Sequence, residues 1–320
     1  MVAEIYLSIC IPTYNRAPYL RRCLQSIVNQ VGNNPEVEVV ISDNLSDDDT
    51  PVIVATFAEE FKNVKYFRNE VNIGGDKNFI RVLKLGKGKY LKLLNDYVEF
   101  KDGGVLKMLE IIKSHSESKE ILFFINGVSY LKRKEYYYSR DLNDFLKICS
   151  FWSTLIGAIG FWKEDFNTML ATYQFKTTSF RQTELLFENF NLNKGAVTYA
   201  RQISNSIEVV NKKAGYNFFD VFINGYFNQI IGRLRTERRI SYRTYLREKN
   251  KFFKDFIFVW YKRIRIKKNH SVQIDDRRME AIIFENYKYN YIFYLYLFYL
   301  PFYLAGFYFK KMVRHLKKAA

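Results

Sequence analysis

The segment Ile5-Tyr6-Leu7-Ser8-Ile9-Cys10-Ile11-Pro12-Thr13-Tyr14-Asn15-Arg16 decides the fold of this chain. Its first seven residues form a short, nearly continuous apolar run that stops at Pro12, which is typical of a parallel strand buried on both faces. Between Tyr19 and Asn29 the apolar residues recur at helical spacing, which predicts an amphipathic helix. A buried strand followed directly by such a helix is the first half of a βαβ unit.

The same strand and helix pattern recurs three more times. Strands are predicted at Val37–Ile41, Val64–Phe67 and Tyr90–Leu94, and helices at Pro51–Phe61, Asp76–Leu85 and Gly103–Ser114. A further strand is predicted at Ile121–Ile125 and a helix at Thr183–Phe190. This alternation predicts an α/β fold with a mostly parallel sheet and helices on both faces. Ligands of such sheets bind beyond the carboxyl ends of the strands, so the loops there are the candidate site.

Composition divides the chain into two parts. The 320 residues carry a formal charge of +17 and include 25 Tyr and 29 Phe. Basic residues crowd the sequence from Asn217 onward, so we expect a catalytic domain at 1–216 and a basic, aromatic helical region at 217–320. The net charge predicts attraction to an anionic partner. Cys10, Cys23 and Cys149 lie in apolar sequence without a CxxC pair and indicate buried thiols in a reducing compartment.

Four loop segments occur in register with the predicted strand ends. They read Ile11-Pro12-Thr13-Tyr14-Asn15-Arg16, Ile41-Ser42-Asp43-Asn44, Asn72-Ile73-Gly74-Gly75-Asp76-Lys77-Asn78 and Leu93-Leu94-Asn95-Asp96. Together and in this order they resemble the family 2 glycosyltransferases with the GT-A fold. The resemblance is strong over residues 5–115 and weak over 120–200. It implies an inverting sugar transfer from a nucleoside diphosphate sugar in surface polysaccharide synthesis.

The resemblance assigns the donor site to the residues of these loops. Asp43 can accept a hydrogen bond from a base N–H, or it caps the next helix together with Asp47, Asp48 and Asp49. Gly74 and Gly75 precede a helix whose first amides favour anions, although an ordinary glycine turn would look the same. The implied donor-binding residues are Pro12, Thr13, Tyr14, Asn15, Arg16, Asp43, Asn44, Gly74, Gly75, Lys77, Asn78, Asn95 and Asp96.

Asp96 is the candidate metal ligand. A hard divalent cation such as Mg²⁺ or Mn²⁺ on carboxylate oxygens offsets the charge of a departing diphosphate. Family members carry two or three acidic residues here, whereas this chain has Tyr97 in place of the next carboxylate and Glu99 beyond it. The departure leaves metal dependence open.

The catalytic base is predicted at Glu184. An inverting transfer needs a carboxylate that deprotonates the acceptor hydroxyl, and the family places one near the start of a later helix. Glu184 occupies such a position in Arg181-Gln182-Thr183-Glu184, where it could also be a surface glutamate. Glu164 and Asp165 are the competing candidates.

The C-terminal region suggests a membrane surface. No charged residue occurs between Lys288 and Lys310, a length close to that of a bilayer span. Its many tyrosines favour the headgroup level, Pro301 interrupts it, and basic residues flank both ends. We therefore expect a kinked, in-plane or re-entrant helix pair on the acidic cytoplasmic face, rather than a span or a buried helix. The expected acceptor is then a lipid-linked saccharide.

Other function classes fit the sequence less well. His115, His270 and His315 are far apart, and no GxxxxGK[ST] loop is present. The alternatives are an inactive transferase-like scaffold, suggested by Tyr97, and a basic nucleic-acid-binding protein. Because the basic and aromatic residues lie in separate segments rather than interleaved on strands, no nucleic acid is expected. Since a strand pattern directly follows residues 1–4, we expect no cleavable signal peptide and a cytoplasmic catalytic part.

Overall fold

The computed structural model describes residues 4–128, 131, 133–177, 179–192, 195–209, 212–267 and 272–319. His270 and Lys268 therefore lie outside the described residues. The chain divides into two compact units, residues 1–209 with 236–241 and residues 210–235 with 242–320.

The first unit alternates strands and helices over its first half, as the apolar pattern predicts. Its elements are β1 (Leu7–Thr13), α1 (Ala17–Val31), β2 (Val37–Asp43), α2 (Thr50–Glu60), β3 (Val64–Arg68), α3 (Gly75–Leu85), β4 (Tyr90–Leu93), β5 (Val98–Phe100), α4 (Gly104–Ser114), β6 (Ile121–Phe124), β7 (Tyr136–Ser139), α5 (Leu142–Cys149), β8 (Gly160–Trp162), α6 (Lys163–Thr172), α7 (Arg181–Asn189), β9 (Ala196–Tyr199) and β10 (Ser204–Ser206).

A five-stranded sheet forms the centre of this unit, with the strand order β3-β2-β1-β4-β8. The first four strands are parallel, and β8 runs antiparallel to β4. Every residue of β1 and of β2 is buried, which explains why both strands lack apolar-polar alternation. The predicted α/β architecture with a mostly parallel sheet is confirmed.

Two further sheets were not predicted. The strands β6, β9 and β7 form one of them, in that order, and β5 pairs with β10 in the other. The three cysteines are buried free thiols, as expected. Burial raises the pKa of the Cys10 and Cys23 thiols, which keeps both protonated.

The second unit is mostly helical. It contains β11 (Lys212–Asn217), α8 (Phe218–Asp220), α9 (Gly232–Thr236, whose last residue belongs to the first unit), α10 (Tyr242–Phe252), α11 (Phe258–Lys262), β12 (Val272–Asp275), α12 (Met279–Tyr287) and α13 (Tyr291–Ala319), with π-helical turns at Val221–Ile231, Phe253–Ile257 and Arg263–Lys267. Stacked aromatic rings fill its interior. Phe252, for example, lies 5.7 Å from Phe227 and 5.2 Å from Phe256, centroid to centroid.

Helix α13 corrects one prediction. It continues through Pro301 as a single helix, so the expected helix pair is wrong. An internal proline removes one backbone hydrogen bond and commonly kinks a helix without ending it. Among the described residues, no helix combines the length and apolar character that a bilayer span requires.

Candidate active site

Two polar side chains meet where β1 and β4 end. Thr13 is the last residue of β1, and its hydroxyl donates a 2.8 Å hydrogen bond to Oδ2 of Asp96. The register of the parallel pair brings them together, because Cys10 lies opposite Leu93 and the two chains leave the sheet side by side. Asp96 is only 6% exposed. The predicted metal ligand therefore lies at the carboxyl edge of the sheet, held by the first loop.

Asp43 ends the neighbouring strand β2 and is fully buried. Its Oδ1 accepts hydrogen bonds from the Ser46 amide (2.9 Å) and hydroxyl (2.5 Å), and its Oδ2 accepts one from the Tyr66 hydroxyl at 2.6 Å. Nε of Arg68 lies 3.7 Å from Oδ2. These contacts leave about one of the four acceptor positions of a carboxylate open. Asp43 therefore fixes the turn after β2, and base recognition by Asp43 stays a prediction.

Asp48 has the capping role that was the alternative for this acidic turn. Its Oδ1 accepts from the Thr50 amide and its Oδ2 from the Ala17 amide, both at 3.0 Å. Burial alone would raise the pKa of this carboxyl, but these hydrogen bonds hold it below its usual value. Asp48 thus ties the starts of α1 and α2 together.

Asparagine side chains hold the third loop against β2. Oδ1 of Asn44 accepts from the Ile73 amide and from Nδ2 of Asn69, both at 2.9 Å, and its Nδ2 donates to Oδ1 of Asn72 at 2.7 Å. Asn78 is 2% exposed and bonds to the hydroxyl and carbonyl of Ser42. Both predicted donor residues thus have protein partners and position the loop.

The loop brings the start of α3 to the same edge. Gly74 has φ +81°, a backbone conformation that disfavours any residue with a Cβ, and a Cβ at Gly75 would meet no atom within 4 Å. No side chain among the described residues caps α3, so the amides of its first turn are available to an anion. Lys77 is exposed in that first turn.

The remaining donor candidates lie around Asp96. Tyr14 is 45% exposed, and Pro12 is buried. Asn15 has φ +51° and is held by the Ser46 hydroxyl and the Asp47 amide. Arg16 is half-buried beside Tyr97, and Asn95 is half-buried in the turn after β4.

Tyr97 does not replace the missing carboxylate. Burial and the neighbouring Asp96 raise the pKa of Tyr97 to about 12, so it stays a neutral phenol. Within the described part of the chain no group of three or more His, Cys, Asp or Glu residues could enclose a metal ion. A cation here would have Asp96 as its protein carboxylate, with diphosphate and water completing the shell, which suits Mg²⁺.

Glu184 lies on the adjoining helix α7 and has no exposed surface. Its Oε2 accepts from the Tyr173 hydroxyl (2.9 Å) and the Lys176 amide (3.0 Å). Its Oε1 has no hydrogen-bond partner among the described residues. Asp76 is partly buried at the start of α3, close to the backbone amides of Phe180 and Arg181, and so places the third loop next to the start of α7.

The competing carboxylates lie elsewhere. Because β8 is antiparallel, Trp162 pairs with Tyr90 at the start of β4, and α6 begins at the amino edge of the sheet. Glu164, which is paired with Lys119 on the surface, and Asp165 are therefore at the wrong edge to act as the base. Glu99 forms a surface ion pair with Arg22 at 2.8 Å.

Comparison with known proteins agrees with this geometry. The family model described as "Glycosyl transferase family 2" matches residues 8–172, which is more than half of the 320 residues. The chain belongs to glycosyl transferase family 2.

Two relatives of this family 2 chain are sugar transferases by their names. It is 42% identical over 85 residues to abequosyltransferase RfbV of Salmonella typhimurium, covering 26% of each chain. It is 30% identical over 105 residues to the GalNAc(5)-diNAcBac-PP-undecaprenol beta-1,3-glucosyltransferase of Campylobacter jejuni, covering 32% of this chain and 33% of that one. The matches thus span a quarter to a third of the length of these relatives.

A solved structure confirms the GT-A fold of the family 2 chain. The crystal structure of S. aureus TarS 1-349 in complex with UDP-GlcNAc superposes with a TM-score of 0.62 at 17% identity. The alignment covers 82% of this chain and 76% of that one.

Several residues of the site escaped the sequence analysis. Tyr66, Asn69 and Tyr173 hold Asp43, Asn44 and Glu184, and Asp76 joins the two halves. Only Asp76 carried a local signal, since an acidic residue in the first turn of a helix is favoured by the helix dipole. The other three residues reach their partners through the tertiary fold.

Proposed function

We propose that this chain transfers a sugar from a nucleoside diphosphate sugar to a saccharide hydroxyl with inversion at the anomeric carbon. The observation that carries the proposal is the Thr13–Asp96 pair at the strand exits, on the same sheet edge as the uncapped start of α3. A diphosphate at this edge meets helix amides and Lys77 on one side and Asp96 on the other. The family membership and the names of the relatives support the same reaction class.

In the proposed reaction Glu184 takes the proton of the acceptor hydroxyl. The acceptor oxygen forms a bond to the anomeric carbon from the face opposite the diphosphate, and the bond to the diphosphate breaks with its electron pair. A divalent cation at Asp96 would neutralise charge on that leaving group. Oε1 of Glu184 is the atom available for the proton, since Oε2 already accepts two hydrogen bonds. Because Glu184 is fully buried, neighbouring side chains must move when the acceptor binds.

A thermal-shift panel of nucleoside diphosphates and their sugars, with and without Mn²⁺, tests the donor half. A ligand that binds the native state raises the melting temperature. We expect one nucleoside diphosphate to raise the melting temperature of the wild type and of Glu99→Gln, and to raise it further when Mn²⁺ is present. In Asp96→Asn the additional rise caused by Mn²⁺ should be absent. If no nucleotide in the panel shifts the transition, the proposal is wrong.

We further propose that the second unit docks on the acidic cytoplasmic face of the membrane, where a lipid-linked saccharide acceptor would be found. Helix α13 packs Phe293 and Tyr296 against Phe253, while Tyr294, Phe298 and Phe302 are 53%, 74% and 64% exposed. These exposed residues recur at helical spacing and form an apolar stripe suited to an interface. The undecaprenol diphosphate in the name of the C. jejuni relative supports this acceptor class.

Cosedimentation with phosphatidylglycerol vesicles tests the docking. Phe298→Ser with Phe302→Ser should release the protein from vesicles. Leu106→Ser, at a 46% exposed apolar position of α4 in the other unit, should not. Equal binding of all three proteins would refute docking through α13.

A further inference from the structure

A groove between α3 and the α6–α7 segment extends beyond the donor site and shares Lys77 with it. Its volume is about 420 Å³. It is lined by four cationic side chains, two aromatic rings and four aliphatic side chains. We call it the basic groove. Its lining residues are Lys77, Arg81, Lys84, Arg181, Tyr173, Phe175, Ile73, Ile80, Leu85 and Leu170. No carboxylate belongs to this lining.

The α3 side of the groove is a row of exposed cations. Lys77, Arg81 and Lys84 follow one another at i, i+4 and i+7, so they lie on one face of the helix. Within the part of the chain that the structure describes, none of the three forms an ion pair or a side-chain hydrogen bond. Three like charges on one face repel one another, and an anion between them would relieve that repulsion.

Arg181 faces this row from the start of α7. Its guanidinium lies 5.0 Å from the centre of the Phe175 ring, and its Nε is buried without a hydrogen-bond partner among the described residues. A planar guanidinium held over a ring presents its donors in a fixed fork that matches phosphate oxygens. The groove thus offers a rigid donor opposite flexible cations.

The donor's own diphosphate does not account for this arrangement. A diphosphate at the first turn of α3 reaches Lys77, but Lys84 lies nine residues beyond Gly75, which is roughly 13 Å along a helix at 1.5 Å per residue. The groove reaches a neighbour of the candidate base, because Tyr173 lines it and its hydroxyl donates a hydrogen bond to Oε2 of Glu184. A molecule in the groove is therefore separated from the candidate base by one side chain, which is close enough for part of an acceptor to occupy the groove.

We propose that the basic groove binds a phosphate group of the acceptor, so that the acceptor is a saccharide carrying a phosphodiester or diphosphate near the reacting hydroxyl. The identification of the bound molecule as the acceptor rests on the proposed function. The binding of phosphate itself does not depend on it. The aliphatic and aromatic part of the lining would contact the uncharged remainder of the same molecule.

Calorimetric titration of the full chain with inorganic pyrophosphate tests the proposal. It is done with and without a saturating nucleoside diphosphate, which occupies the donor site. Arg81→Glu with Lys84→Glu reverses two groove charges and avoids the donor residue Lys77. Lys62→Glu with Lys65→Glu is the matched control, since both are exposed lysines outside the groove and the change in net charge is the same.

We expect wild-type pyrophosphate binding to persist when nucleotide is present. It should weaken by at least about tenfold in the groove variant, because two charge-assisted contacts are lost, and stay nearly unchanged in the control. Displacement by nucleotide, equal losses in both variants or no binding would each overturn the proposal. If the groove variant does not fold, Arg81→Gln with Lys84→Gln replaces it in the same titration.

Vesicle binding distinguishes a phosphate of the acceptor from the phosphate of a lipid headgroup as the ligand of the basic groove. The groove variant should sediment with phosphatidylglycerol vesicles as the wild type does. A selective loss of vesicle binding would assign the groove to headgroups instead.

In transfer assays the groove variant should have a higher KM for the acceptor, with kcat and donor affinity unchanged. If the chain binds pyrophosphate in the groove but binds no nucleotide, the phosphate site stands and the proposed function is wrong.

Discussion

The strand exits and the start of α7 differ in how their buried polar groups are satisfied. At the exits, the side chains of Asp43 and Asn44 each make three hydrogen bonds with protein atoms, and Oδ1 of Asn69, outside the predicted donor set, is buried without a partner among the described residues. On α7, Oε1 of Glu184, Oε1 of Gln182 and Nε of Arg181 are buried without partners among the described residues. A buried polar atom without a partner costs about 1–3 kcal/mol.

This difference indicates a division of labour. The exits form a preorganised cradle whose shape does not depend on ligand, which suits a donor bound in one fixed geometry. The α7 side keeps unused donors and acceptors, which suits an acceptor that completes the hydrogen bonding when it binds. Asp76 lies between the two regions, because it is in the first turn of α3 and close to the amides that begin α7.

Glu184→Gln should have the largest effect, since the amide keeps the shape of the side chain but cannot take a proton. We expect kcat to fall about 10²–10⁴-fold, the usual contribution of a general base, with donor affinity unchanged. Glu164→Gln, at the rejected candidate on the opposite sheet edge, is the control and should keep full activity. Steady-state kinetics with matched donor titrations decide this, and an active Glu184→Gln enzyme would remove Glu184 from the reaction.

Asn44→Ala should affect stability and donor affinity together. The substitution leaves the Ile73 amide and the Asn69 side chain without their acceptor, which should cost about 1–3 kcal/mol in the free energy of unfolding. Urea unfolding and donor KM are the measurements, with the exposed Asn29→Ala on α1 as the control. A loss of donor affinity at unchanged stability would mean instead that Asn44 touches the donor directly.

The sequence predicted the strand exits better than the α7 side for a physical reason. Buried strands and amphipathic helices carry local periodicity, so β1 to β4 and α1 to α4 were placed within a few residues of their observed bounds, whereas the three-residue strand β5 was not predicted. The pairing of Asn44 with Asn69, and of Tyr173 with Glu184, depends on chain segments meeting in space, which no local pattern encodes. β8 is three residues long, too short to show its antiparallel direction, and for this reason Glu164 remained a candidate base.

Asp76→Asn should give the smallest effect, visible in the pH dependence of stability. Burial raises the pKa of Asp76 above its usual 3.8, although the amides of Arg181 and Phe180 partly oppose the shift. A carboxyl with a raised folded-state pKa contributes stability below pH 3.8, and that contribution is lost as pH rises through the folded value. The side-chain oxygen of Asn can interact with the same amides, and Asn does not titrate. The free energy of unfolding of the wild type should therefore fall relative to that of Asp76→Asn as pH rises from 3.8 toward neutrality. Denaturant unfolding at a series of pH values measures this difference. Asp102→Asn, at an exposed carboxyl outside this contact, is the control. A stability difference that is constant with pH would mean that the contact between α3 and α7 does not bury the Asp76 carboxylate. The strand exits and the start of α7 would then be less closely joined than the structure indicates.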